Sequence, residues 1–210
     1  MAYVTSAVGI CNLALDTLKQ ESIANIEAPV SLPESVCARW YDNTRKELLR
    51  SHPWSFARKR AVLSRNSSSI APEYPDAYLL PNDFVRILFV GDDVYNQPEY
   101  SIEDGQILLD NGGASDLRLS YVYNATNVLK MDSLFIDVLA MELAVKMAPA
   151  LVGLKPSVQA MLIDERNRLM QQARSVNGQE NPVKVVNKSG LLTSREYGLV
   201  QNARYNKVVG

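Results

Sequence analysis

The sequence predicts an α+β fold that is mainly α: an antiparallel helical bundle with an inserted small antiparallel β-domain and an extended C-terminal tail. Three observations predict it. Four segments, two near each end, space their apolar residues as helices do; short β-rich runs between turn signals fill the middle; the last stretch has neither period. The implied organisation is a helical domain from residues 1–66 and 130–176, a β-domain at 67–129 and an arm at 177–210.

Residues 6–20 place Val8, Cys11, Leu15 and Leu18 on one helical face, with Thr5 or Ser6 available as a cap. A second helix starts at Ser31-Leu32-Pro33-Glu34, where a serine cap, an early proline and an acid in the first turn coincide. It ends near Ser51, because a residue before proline, here His52, is pushed out of the α region. Val36, Trp40, Tyr41, Leu48 and Cys37 are expected to face inward, and Arg39, Arg45, Lys46, Glu47 and Arg50 outward. The β-rich runs cover residues 77–80, 85–90, 100–102, 106–109 and 117–123. Pro81-Asn82, Gly91-Asp92-Asp93, Asp104-Gly105 and Asn111-Gly112-Gly113 separate them as turns. Two more helices, residues 133–151 and 157–175, join at Gly153-Leu154-Lys155-Pro156.

With 210 residues, the chain is long enough for a core that needs neither disulfides nor metal. Cys11, Cys37 and His52 are its whole complement of cysteine and histidine, too few for a structural zinc site or a disulfide scaffold. No run reaches about 18 apolar residues, so no membrane association is expected. The start, Met1 to Ser6, lacks the basic residues of a signal peptide, and cytoplasmic synthesis is the expectation. No nucleophile elbow or phosphate loop occurs; His52 reads as a capping or packing residue, the two thiols as small apolar side chains, and no cofactor is expected.

Charge is unevenly placed. The net charge of −1 combines −9 over residues 73–116 with +3 over residues 177–210 and +5 elsewhere. Residues 45–65 hold seven Lys or Arg against one Glu, with Trp54 and Phe56 interleaved, making Arg45, Arg50, Arg58, Lys59 and Arg60 a candidate lateral or partner contact. A solvated helix face is the plainer reading of that run. Opposite blocks on one chain suit contact between copies or docking to a partner.

Three strings carry a resemblance: Ile10-Cys11-Asn12-Leu13-Ala14-Leu15; Arg39-Trp40-Tyr41-Asp42-Asn43-Thr44-Arg45-Lys46-Glu47-Leu48-Leu49-Arg50-Ser51-His52-Pro53-Trp54-Ser55-Phe56-Ala57; and Tyr78-Leu79-Leu80-Pro81-Asn82-Asp83-Phe84-Val85-Arg86-Ile87-Leu88. Together they resemble the tail tubular protein A family, the head-to-tail adaptors of short-tailed bacteriophages. The resemblance spans residues 6–175, and residues 41–54 are its most specific part. It implies a homo-oligomeric ring, usually of twelve copies, under the portal protein. Such a ring extends the channel for double-stranded DNA toward a tail nozzle of the tail tubular protein B kind and holds fibres or spikes. It places the protein in the virion, without enzymatic activity.

In that setting the tail is expected to dock on the portal through Val185, Val186, Leu191, Leu192, Tyr197 and Tyr205, since apolar and aromatic anchors carry most interface energy. Asp92, Asp93, Glu103 and Asp104 are candidates for a channel wall that repels phosphate. Two other classes compete: a wall hydrolase using two carboxylates roughly 5–9.5 Å apart, and a nucleic-acid-binding regulator built on residues 45–65.

Overall fold

A computed structural model describes residues 4–66, 73–91, 97–153 and 155–180. The first helix, α1, is Ala7–Thr17, with Ser6 accepting a hydrogen bond from the Gly9 N–H as its cap. The second, α2, is Leu32–Ser51; Ser31 and Glu34 close a reciprocal capping box that satisfies two otherwise orphaned donors. Six strands follow: β1 (Arg58–Asn66), β2 (Asp76–Leu79), β3 (Phe84–Val90), β4 (Tyr100–Glu103), β5 (Gln106–Leu109) and β6 (Asp116–Tyr123). Two helices end the described chain, α3 (Ser133–Leu151), capped by Asp132, and α4 (Pro156–Gln179).

The expected helical bundle with a small inserted β-domain does not form. The described residues instead make an α+β fold of four helices and a six-stranded antiparallel sheet, curled into a half-barrel with strand order β3-β6-β1-β2-β5-β4. The source of the error is β1. Its basic residues read as a solvated helix face, yet its alternation puts Leu63 inside while Arg58, Arg60, Val62 and Ser64 face out. That strand pairs with β6 from Arg58↔Val122 to Ser64↔Asp116 and then with β2 at Arg65↔Tyr78, so it joins what would otherwise be two smaller sheets.

The helices and the sheet bury two clusters that meet at the end of β6. Leu63, Tyr78, Ile107, Leu109, Leu117, Leu119 and Tyr121 fill the half-barrel. Val122, Ala57 and Ala125, at the sheet's helical end, belong instead to the cluster of Ile10, Leu15, Leu49, Trp54, Phe135, Leu139 and Leu143. Tyr123 packs against both clusters, so the end of β6 is where the sheet abuts the helices. One further difference concerns α4, which runs to Gln179 and buries Asn177, a residue expected in the arm. The rest of that arm, with Val185, Val186, Leu191, Leu192, Tyr197 and Tyr205, lies outside the described residues.

Candidate interaction surfaces

The basic run from Arg45 to Arg65 divides into residues with internal partners and residues facing solvent. Arg45 belongs to the first group: it is 2% exposed, which removes it from any partner-contact surface. Its Nη1 donates to Asn124 Oδ1 at 2.8 Å and to the Ala125 carbonyl at 2.5 Å, and its Nη2 meets Asp42 at 2.9 Å. A planar guanidinium with several fixed donors suits this role, which ties α2 to the chain leaving β6. Arg50 lies at the surface, yet its Nη1 donates to the Val85 carbonyl at 2.8 Å while Arg86 donates back to the Arg50 carbonyl at 2.9 Å. These two arginines therefore lace the end of α2 to β3.

Lys59 is bound on the concave face of the sheet. Its ammonium lies 2.5 Å from Asp83 and 4.1 Å above the Tyr123 ring. Asp83 also accepts from the Tyr121 hydroxyl at 2.9 Å. Burial pushes the Asp83 carboxyl up, but the bonds from Lys59 and Tyr121 outweigh it and hold the group below the usual carboxylate range. Tyr121 moves the other way, to about 12, through burial and its bond to that carboxylate.

Arg58 and Arg60 face outward. Arg58 donates to the Pro53 carbonyl at 3.2 and 3.0 Å. With Leu88, Phe89 and Ser120 they line an open groove of about 570 Å³, whose lining among the described residues carries no carboxylate. A second groove, about 490 Å³, lies between α2 and β3 and is lined by Trp40, Asn43, Lys46, Glu47 and Phe84 among others. There Lys146 pairs with Glu47 and sits 5.6 Å from the Trp40 ring.

Of the candidate acidic residues, Asp92 and Asp93 lie outside the described residues. Glu103 and Asp104 are exposed at the β4–β5 turn, where Asp104 and Gly105 both take positive φ, 45° and 69°. That pair of left-handed residues is the two-residue hairpin geometry that an Asp-Gly dipeptide favours.

Two polar clusters had no sequence signal beyond the residues themselves. Asp76 is fully buried, and its Oδ2 accepts from the backbone N–H groups of Asn111 at 2.9 Å and Gly113 at 3.0 Å, with Arg65 at 2.5 Å from Oδ1. Burial alone raises its pKa; the two backbone donors and Arg65 outweigh that and keep it ionised. Asn177 accepts from the Ser55 N–H at 2.8 Å and hydroxyl at 2.7 Å through Oδ1, which turns its amide nitrogen toward His52 Nε2 at 2.9 Å. His52 Nε2 must then accept, leaving the ring neutral with its proton on Nδ1. Burial, followed by Arg174, Arg58 and Arg86, lowers the His52 pKa. The ring also meets Trp54 edge-on at 4.8 Å, so its position at the end of α2 is a packing one.

Cys11 and Cys37 are buried free thiols; contact with Cys37 and burial push the Cys11 thiol up, away from the reactive thiolate. Among the described residues no group of three or more His, Cys, Asp or Glu is placed to hold a metal ion, and no helix is long and apolar enough to cross a membrane. No family model matches the chain, and no curated protein is significantly similar to it.

Proposed function

We propose that this protein is a structural head-to-tail adaptor of a short-tailed phage virion. On this reading it forms a ring under the portal that extends the DNA channel and links it to the tail nozzle and fibres. The observation that carries the reading is the role of the most specific string of the resemblance, residues 41–54. Tyr41, Leu48, Leu49 and Trp54 are core residues, while Arg45 and Arg50 bind both strands of the β3–β6 pair at its Phe84–Tyr123 end. Such a string serves rigidity at the helix–sheet junction, which suits a part that transmits load between larger assemblies.

The grooves support the same reading. Both are open and mixed in polarity, which fits contact with protein surfaces better than enclosure of a small substrate. The nucleic-acid reading of the basic run is weakened by the internal bonds of Arg45, Arg50 and Lys59, which leave fewer cations for phosphate.

Negative-stain imaging of the purified chain, alone and with its cognate portal protein, tests the proposal. Stoichiometric rings on the portal are expected, and a chain lacking residues 183–210 should lose portal binding. Absence of any portal complex, or turnover of cell-wall substrate in a lysis assay, would overturn the adaptor reading.

A further inference from the structure

Two surfaces of the sheet match in character and lie at different places in the strand order. The first is the β4 edge. As the terminal strand, β4 has one side without a strand partner among the described residues. The opposite edge, β3, is blunted by side chains: Arg50 donates to the Val85 carbonyl, and the Gln97 side chain accepts from the Val90 N–H at 3.4 Å. Around β4 the exposed groups are Tyr100, 36% exposed, Ile102, 47% exposed, and the carboxylates of Glu99, Glu103 and Asp104. The second surface is the 570 Å³ groove on the outer face of β1, β3 and β6. Arg58 and Arg60 stand over Leu88 and Phe89, and Val62, 64% exposed, follows two residues along on the same face.

We propose that the β4 edge of one copy docks in the Arg58–Arg60 groove of a second copy. Ile102 and Tyr100 cover Val62, Leu88 and Phe89, and Glu103 with Asp104 meets Arg60 and Arg58. Charge complementarity selects this occupant, because one chain carries both the acidic edge and a groove lined with cations. The apolar floor selects it over nucleic acid, since a phosphate backbone leaves Val62 and Phe89 uncovered. Each copy contributes a different surface, so the contact is heterologous and builds a ring where the rotation closes and a filament where it does not. It puts Glu103 and Asp104 between subunits instead of on a channel wall. The inference deepens the adaptor reading by assigning its lateral contact, and it rests on that reading only for ring closure.

The test is charge exchange in the full chain, read by sedimentation velocity over a concentration series at low salt, and on portal-templated rings where the parent assembles only there. Arg60→Glu and Glu103→Arg should each weaken self-association about tenfold or more, the scale of a like-charge contact at an interface. Mixing the two variants should restore it, because each intact surface finds its complement and the two reversed surfaces also match. Val62→Asp provides a second, apolar probe of the groove and should by itself weaken association; mixed with Glu103→Arg it should regain pairs, through the one intact edge and the one intact groove, but no longer assemblies. Self-association unchanged in the single variants, or not restored on mixing, overturns the proposal. So does a parent chain that assembles neither alone nor on the portal, or duplex DNA binding lost with Arg60→Glu while self-association is untouched. Loss of portal binding with charge exchange intact would sink the adaptor reading and leave this interface standing.

Discussion

At the scale of single residues, three buried polar side chains stand out for holding more than one partner. Asp76, Arg45 and Asn177 each meet several partners at once, and a partly matched group in those places would be costly. His52 shows a consequence in pH. Its folded pKa is lowered from an ordinary value of 6.5, first by burial and then by Arg174, Arg58 and Arg86. The neutral ring is therefore the form the fold prefers. Its contribution to stability is complete above pH 6.5 and is lost as pH falls through the lowered folded value, because the unfolded chain takes up the proton first. Proton NMR of the His52 ring should show a midpoint below 6.5. Asn177→Ala removes the donor that needs a lone pair on Nε2, so it should move that midpoint upward; an unchanged midpoint would assign the shift to burial and the arginines alone.

At the scale of elements, caps and turns were readable because their chemistry is local. Ser31 with Glu34, the proline in the first turn of α2, and Asp104-Gly105 all act within four residues of themselves. Strand β1 was not readable in the same way. Its burial depends on β6, more than fifty residues later in the chain, and the alternation of Arg58, Arg60 and Val62 with Lys59, Ala61 and Leu63 is masked by basic residues on both faces. The β4–β5 hairpin offers a direct test of local chemistry. Gly105 sits at φ 69° with open space where a side chain would go, so Gly105→Val meets backbone strain and no collision. It should cost about 1–2 kcal/mol, the usual penalty for a left-handed residue with a side chain, measured by urea unfolding. A cost near zero would mean that the turn changes type freely.

At the scale of the whole molecule, the seam between helices and sheet decides how the protein unfolds. Trp54 packs edge-on against Phe135 at 5.1 Å, and Val122 of β6 lies in the same cluster with Ala57, the residue before β1. Melting the sheet while keeping the helices would expose that cluster. Helical circular dichroism and Trp fluorescence should therefore report coincident transitions in denaturant, as a cooperative unit requires. Two separated transitions would restore the picture of a bundle carrying an independent β-domain. The same seam explains why the site was only half legible. The cationic run stood out in the sequence, but which cations are bound internally depends on partners brought by the fold: Ala125 for Arg45, Val85 for Arg50 and Asp83 for Lys59.

By itself the sequence determined the positions of the four helices and five of the six strands, the caps of α1 and α2, the Asp104-Gly105 turn, and the separation of charge along the chain. All of these follow from interactions between near neighbours or from composition. Only the tertiary structure decided that β1 is a strand, that the sheet is a six-stranded half-barrel whose cluster meets that of the helices at β6, and that Arg58 and Arg60 face an open groove while Arg45 is buried. The reason is physical: a residue's spacing tells which neighbours share its face, whereas its burial and its charge partner are set by segments that arrive from elsewhere in the chain.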